Sequence, residues 1–201
     1  MKKMTFVLAV SLILVANPAR ADSIVQLALW PPVQLVPEDQ SITGFRFEIF
    51  GRNQYMSGVD FGLGHETIMD FGGIGTGFAN IVGQDTYGLQ WGLFNWTKRD
   101  LYGWQSGVFS RAGADSVGVQ NGLLSLTDND LYGVQLSFYN QTRGYVTGAQ
   151  IGVFNRAGSV EGFQLGLVNI AEKMYGLQIG LWNQINEKES WNVIPLVNWN
   201  F

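Results

Sequence analysis

From Thr86 to Thr97 the chain reads TYGLQWGLFNWT, and its odd and even positions differ in kind. In an extended strand side chains alternate between faces. One face then carries Leu89, Trp91 and Leu93, and the other Gly88, Gln90, Gly92 and the large Phe94. The division returns further on, with Val134, Leu136 and Phe138 on one face of one copy and Phe163, Leu165 and Leu167 in another. Ser106 and Asn121 are the main interruptions of this apolar face. Gly44, Gly58, Gly73, Gly88, Gly103, Gly118, Gly133, Gly148, Gly162 and Gly176 set a period of 14 or 15 residues, and the last seven open the phrase G-x-Q-x-(G/S)-x-(aromatic or aliphatic)-(N/S). The three earlier copies place Arg46, Asp60 and Gly75 where the glutamine belongs. So short a period leaves room for one strand and one turn per repeat.

Between Gly88 and Trp182 no charged residue falls inside a phrase; charges sit in the turns, as in Lys98-Arg99-Asp100, Asp128-Asn129-Asp130 and Glu172-Lys173. A soluble antiparallel sheet normally offers charge on one face. A sheet lacking that face needs two packed layers or lipid. The pattern therefore predicts an all-β chain, an antiparallel transmembrane β-barrel of about 12 short strands: the phrases plus Ile24–Trp30 and Trp191–Phe201. An even count suits a bacterial barrel. The stretch Tyr87–Asn95 extends roughly 30 Å, which a tilt of about 40° reduces to roughly the apolar band of an outer membrane. Tyr87, Tyr102, Tyr132 and Tyr175 precede their phrases and would supply aromatic girdles at both interfaces. Alternating strands would put Asp100, Asp128 and Asp130 on the outside, and Asp85, Asp115 and Glu172 on the periplasmic side. The constant step also suits an alternative, a stacked parallel β-solenoid with Gln and Asn columns as ladders. There, Phe94, Phe109 and Phe154 turn inward only if the coil bends near them, and otherwise form an exposed aromatic stripe.

The N-terminus reads as a secretory signal peptide over residues 1–21: Lys2 and Lys3, an apolar run from Phe6 to Ala16, then Ala19-Arg20-Ala21 before the cut. A single repeat-built β domain, 22–201, follows. Without Lys2, Lys3 and Arg20 it holds 9 basic against 16 acidic residues, a net charge of −7, which makes nucleic acid an unsuitable partner. The chain has no cysteine, so disulfides and thiolate metal sites are excluded. At the other end Trp191, Val193, Pro195, Val197, Trp199 and Phe201 alternate with Asn192, Ile194, Leu196, Asn198 and Asn200. Pro195 suits an edge or a bulge. This ending resembles the C-terminal signal recognised by bacterial barrel-assembly machinery, with Trp199 and Phe201 as the assembly signal. The phrase itself, over roughly Ser41 to Phe201 and with the opening segment VQLALWPPVQ, resembles bacterial surface-repeat proteins with tandem GLQIGLVN-like units, a family without an assigned activity. The resemblances imply export to the outer membrane or cell surface, with outer-membrane lipid and the assembly machinery as partners and no identified extracellular partner.

Candidate chemistry is sparse, and the reading is of a non-enzymatic outer-membrane barrel with a narrow or plugged Gly/Gln-lined lumen, in a structural or passive-pore role and with no cofactor; the alternative is a surface-exposed β-solenoid repeat module that binds a protein or ligand. His65, the single histidine, lies beside Glu66 with Ser57 and Asp70 nearby in sequence, and reads as a solvated loop residue rather than part of a triad or metal site. Gly73-Ile74-Gly75-Thr76-Gly77 lacks the helix that a dinucleotide fingerprint requires. The row Gln90, Gln105, Gln120, Gln135, Gln150, Gln164 and Gln178 reads as a hydrogen-bonded belt or as the lining of a narrow lumen. Arg46, Glu48 and Asp60 are charged and on the Gly/Gln face of adjacent strands, as a salt-bridge plug or an ion-selecting constriction would require.

Overall fold

The computed structural model describes Ser23–Phe201; the expected signal segment, 1–21, lies outside the described residues. The elements are β1 (Ser23–Trp30), β2 (Val33–Gln34), β3 (Ile42–Asn53), β4 (Met56–Thr67), β5 (Phe71–Val82), β6 (Thr86–Thr97), β7 (Leu101–Ala112), β8 (Ser116–Thr127), β9 (Leu131–Ile151), β10 (Phe154–Leu165), β11 (Val168–Ile185) and β12 (Val193–Asn200). The strands join in the order β12-β11-β10-β9-β8-β7-β6-β5-β4-β3-β1-β2. All neighbours from β1 and β3 through to β11 are parallel; only β2 against β1 and β12 against β11 are antiparallel.

Parallel pairing of consecutive strands forces each strand to fold back on itself. Twelve extended residues cover about 40 Å, whereas the connection Lys98–Asp100 can return only about 10 Å. The hydroxyls of Thr86 and Thr97, at opposite ends of β6, are 2.7 Å apart. Pairing with β5 is interrupted at Leu93, and burial ceases to alternate there, with Leu93 and Phe94 both exposed. Each coil is thus a flattened loop: a first leg (86–92), a tight corner at Leu93, a second leg (94–97) and a corner at 98–100. Stacked in register, the coils form a β-solenoid.

This corrects the antiparallel transmembrane barrel. Residues 14 or 15 apart are hydrogen-bonded neighbours pointing the same way, as in Gly88↔Gly103 and Gln90↔Gln105. The assignment of alternate connections to opposite sides fails with it. Asp70, Asp85, Asp100, Asp115 and Asp130 form one column on one edge, each carboxylate accepting the backbone N–H of the next, at 3.0–3.1 Å. Asp130 accepts from Tyr145 N–H at 2.7 Å.

The glycine period has a steric cause. Gly103, Gly118 and Gly133 adopt φ of 144°, 132° and 144°, and a Cβ at each would lie 2.0 Å from the carbonyl oxygen of the glycine one coil earlier. The second glycine of the phrase clears the interior: a Cβ at Gly107 would lie 2.7 Å from Asn95 Nδ2 and 1.9 Å from Gly92 O. The ends are closed by reversal. β2 folds back over β1, and β12, carrying Pro195, forms the other edge with a break in register between Gly180 and Asn183. Gly118→Ala is expected to cost about 1–3 kcal/mol from backbone strain alone, with the carbonyl clash adding to it. Gly72→Ala, whose nearest prospective contact is Ser57 Oγ at 3.9 Å, should leave the urea midpoint nearly unchanged.

Candidate functional site

The interior of the coil is polar toward the tight corner, while nearer the charged edge it holds apolar side chains such as Phe71, Leu101, Leu131 and Val160. Gln105 Nε2 donates to Gln90 Oε1 at 2.8 Å, and the column continues through Gln120, Gln135, Gln150, Gln164 and Gln178 at 2.7–3.0 Å. The second N–H of these amides reaches across to the opposite leg, as from Gln150 to Arg156 O at 3.2 Å and from Gln178 to Gln184 O at 3.1 Å. Threonines return bonds to the glutamine oxygens, Thr127 to Gln120 at 2.9 Å and Thr142 to Gln135 at 3.2 Å. On the second leg Asn140, Asn155, Asn169 and Asn183 form a column in which each Nδ2 donates to the next Oδ1 at 2.7–2.8 Å. The two columns donate in opposite directions along the stack. The seven glutamines are buried, hydrogen-bonded side by side, and line no lumen.

In the first coils the same positions hold charges. Arg46 pairs in register with Asp60, in the column that Gln90 continues, and His65 pairs with Asn80 and so heads the asparagine column. Glu48 stands where later coils have glycine. All four are buried. Arg46 Nε lies 2.9 Å from Asp60 Oδ1 and 3.2 Å from Glu48 Oε1, its Nη2 bonds Asp60 Oδ2, and its Nη1 reaches Glu66 O at 3.2 Å. His65 Nδ1 lies 2.6 Å from Glu48 Oε1 and 2.8 Å from Asp60 Oδ1, with Nε2 2.8 Å from Thr76 O. Burial alone would lower the imidazole pKa, but hydrogen bonds to Asp60 and Glu48 and the charge on Asp60 raise it to about 9. Burial alone would likewise raise the Asp60 carboxyl, and Arg46 with His65 brings it below its ordinary value. Burial holds Glu48 above its own.

Two cations and two anions thus close a neutral quartet. Glu48, Asp60 and His65 offer ligand atoms within 4.8 Å of one another, but Arg46 already engages both Asp60 oxygens and Glu48 Oε1, so a divalent ion would add charge to a balanced set. The structure brings Arg46, Glu48 and Asp60 together as their shared face predicts, and adds His65, which is an interior residue and not a solvated loop residue. Ser57, in the strand position of Tyr87, belongs to the outward alternation of β4 and is no partner for it.

The outward surface is apolar on three sides. Ile49, Leu63, Phe78, Leu93, Val108, Leu123, Phe138, Val153, Leu167 and Leu181 succeed one another at the tight corner, forming an apolar ridge along the stack. The first leg exposes Phe47, Phe61, Leu89, Trp91, Trp104, Leu136 and Leu165; the second exposes Phe94, Leu124, Phe154 and Trp182. Trp91 is 71% exposed and Leu181 65%. Ser106 and Asn121 interrupt the first leg, leaving a shallow groove of about 500 Å³ beside Trp91 and Leu123. Trp199 and Phe201 lie at the β12 edge, both exposed, with Phe201 against Tyr175 at 5.7 Å between ring centres.

Comparison with family models, with curated proteins and with solved structures finds no match for this chain. The site is therefore described by its own geometry: a sealed ionic cap on a polar core, inside an apolar shell.

Arg46→Met should lower stability by about 3–5 kcal/mol, because Glu48 and Asp60 would then share one cation. Installing the residues of the later coils at all four positions, Arg46→Gln, Glu48→Gly, Asp60→Gln and His65→Asn, should recover most of that loss. The raised His65 pKa sets the pH dependence. Protonated His65 contributes fully below its ordinary 6.5, and the contribution is lost as pH rises through about 9. Urea midpoints should fall over that window in the wild type and show no such step in His65→Asn.

Proposed function

We propose that this protein is an exported, surface-exposed β-solenoid repeat module, related to the bacterial surface-repeat proteins its phrase resembles, that acts by docking through its outer faces and catalyses no reaction. The observation that carries this reading is the partial inversion of the fold: amides fill much of the interior, while most of the aromatic and many of the aliphatic side chains cover the exterior. Monomeric soluble proteins rarely expose continuous apolar patches beyond a few hundred Å², and larger ones mark contact surfaces. Here apolar residues stand on the ridge of every coil and on the legs of most. The polar interior argues in the same direction, since a core that does not consume the large apolar side chains leaves them for a partner.

The chemistry of the sealed quartet supports a structural role for it. Apart from Glu48 Oε2, its polar atoms bond one another, Thr67 and the backbone, and the imidazole of His65 has both nitrogens engaged. The signal peptide and the export it implies complete the proposal, with the cell surface as the place of action.

The test compares the chain 22–201 with a variant in which Leu89, Trp91, Leu136 and Leu165 are all serine. The wild type should need detergent or a partner to remain dispersed, and should bind a hydrophobic dye strongly. The variant should stay monodisperse in buffer with a similar circular-dichroism spectrum, because outward substitutions seldom move stability far. A wild type that is monomeric and dye-silent in plain buffer would refute the reading.

A further inference from the structure

The outer surface is graded in polarity across the width of the coil, and the gradient identifies what covers it. At one edge stands the apolar ridge, apolar in every coil from Ile49 to Leu181. At the opposite edge stand the aspartate column and its neighbours Lys98, Arg99, Asp128, Arg143, Glu172 and Lys173. Charges on the legs, such as Arg52, Glu66, Arg111, Arg156 and Glu161, occupy the outward positions next to this charged edge. Aromatic residues share this level with the leg charges, Glu161 standing in register with Tyr175 and Arg111 with Trp96. Tyr87, Tyr102, Tyr132 and Tyr175 fill the first outward position of their legs, with Tyr87 and Tyr102 stacked at 5.1 Å. Trp96 holds the equivalent place on the second leg, with Lys98 at 5.8 Å and Arg111 at 5.6 Å from its ring.

We infer that the solenoid lies edge-on in one leaflet of a lipid bilayer, with the ridge through Leu93 and Leu123 in the acyl chains and the aspartate edge in water. This deepens the docking proposal and rests on it. Three observations favour lipid over a protein partner. The apolar ridge gives way to a level of mixed Tyr, Trp and charged residues and then to the aspartate edge, as at a membrane interface, where Tyr and Trp sit at headgroup level. The depth agrees: Leu93 to Leu89 spans about 13 Å and Leu93 to Tyr87 about 20 Å, against roughly 15 Å for the hydrocarbon of one leaflet. Finally, the apolar surface wraps both legs and the ridge between them. A second copy laid on one leg would leave the other leg and the ridge in water, whereas fluid acyl chains envelop all three. Backbone satisfaction permits the immersion, since the legs of the inner coils pair on both sides along the stack.

The absence of cysteine allows single labels to be placed freely. Leu123→Cys on the ridge and Asn129→Cys on the charged edge would each carry an environment-sensitive fluorophore, mixed with phosphatidylcholine vesicles brominated near the ends of the acyl chains. The ridge label should shift to shorter wavelength and be quenched severalfold by the brominated chains, while the edge label stays open to aqueous iodide. Leu93→Glu with Phe138→Glu should weaken vesicle partition at least tenfold, with the circular-dichroism spectrum unchanged. Quenching of both labels alike, or of neither, would overturn the edge-on insertion. Absence of vesicle binding by a chain that self-associates through its apolar faces would overturn the lipid assignment and leave the docking reading standing. A monomer that binds neither vesicles nor dye would remove both.

Discussion

The in-register amide ladder is the interaction on which the rest of this structure depends. A buried carboxamide left without partners costs more than its hydrogen bonds return in water, so a polar core is tolerable only if every donor and acceptor finds a place. Stacking identical coils supplies the places. Each inner glutamine bonds the glutamine before and after it, and its remaining N–H reaches the backbone of the opposite leg. The ladder also holds the register, since a slip of one residue would bring Gln against Leu or Trp and leave the amides of the two coils unpaired. The second glycine column follows from it, as a Cβ there would meet the asparagine amides of the other leg, while the first is set by positive φ and the close carbonyl of the neighbouring coil.

A core built this way is narrow, and its narrowness decides the exterior. Small side chains such as Thr86, Thr97, Ser116 and Ala112 complete the interior near the charged edge. Aliphatic side chains and Phe71 share these positions, in register with Thr86, but toward the tight corner the amide columns take the interior. Most of the large apolar residues that would form the core of an ordinary sandwich are displaced outward, and the coil becomes a partly inverted version of a soluble fold. Surface apolarity here is a consequence of the ladder and at the same time the property that the proposed function uses.

The ends show what happens where the ladder must stop. A terminal coil has neighbours on one side only, so its amides lose half their partners. Near the N-terminal end the column changes from amides to Asp60 and Arg46 and closes with Gln26 of β1, whose amide bonds the backbone of Val36, while His65 stands in register with Asn80. Charged groups with several directional contacts pair with one another within two coils, with only Glu48 Oε2 left without a hydrogen bond. At the other end Asn198 of β12 pairs in register with Gln178 and donates to Asn183 O at 3.1 Å, although Gln178 Oε1 has no partner. Lys188 closes over this edge, with its ammonium 3.0 Å from Asn198 Oδ1.

Much of this was legible in the residues. The glycine period, the strand in every repeat, the turn placement of the charges and the glutamine row all follow from local chemistry that repeats along the chain. The grouping of Arg46, Glu48 and Asp60 on one face was legible for the same reason. His65 was not: one histidine beside Glu66 looks solvated until the register places it in the asparagine column. What only the tertiary structure decided was whether successive strands run antiparallel around a ring or parallel up a stack. Alternation of side chains is the same in both, and the difference lies in the bend at Leu93, a backbone event without a signature in the apolar pattern. That bend shifts the alternation by one residue, turning Asn95 inward beside Gln90 and leaving Phe94 outside. Repeat spacing and side-chain type were therefore the sequence's own contribution, while the side on which half of each repeat faces came from the fold-back of the coil.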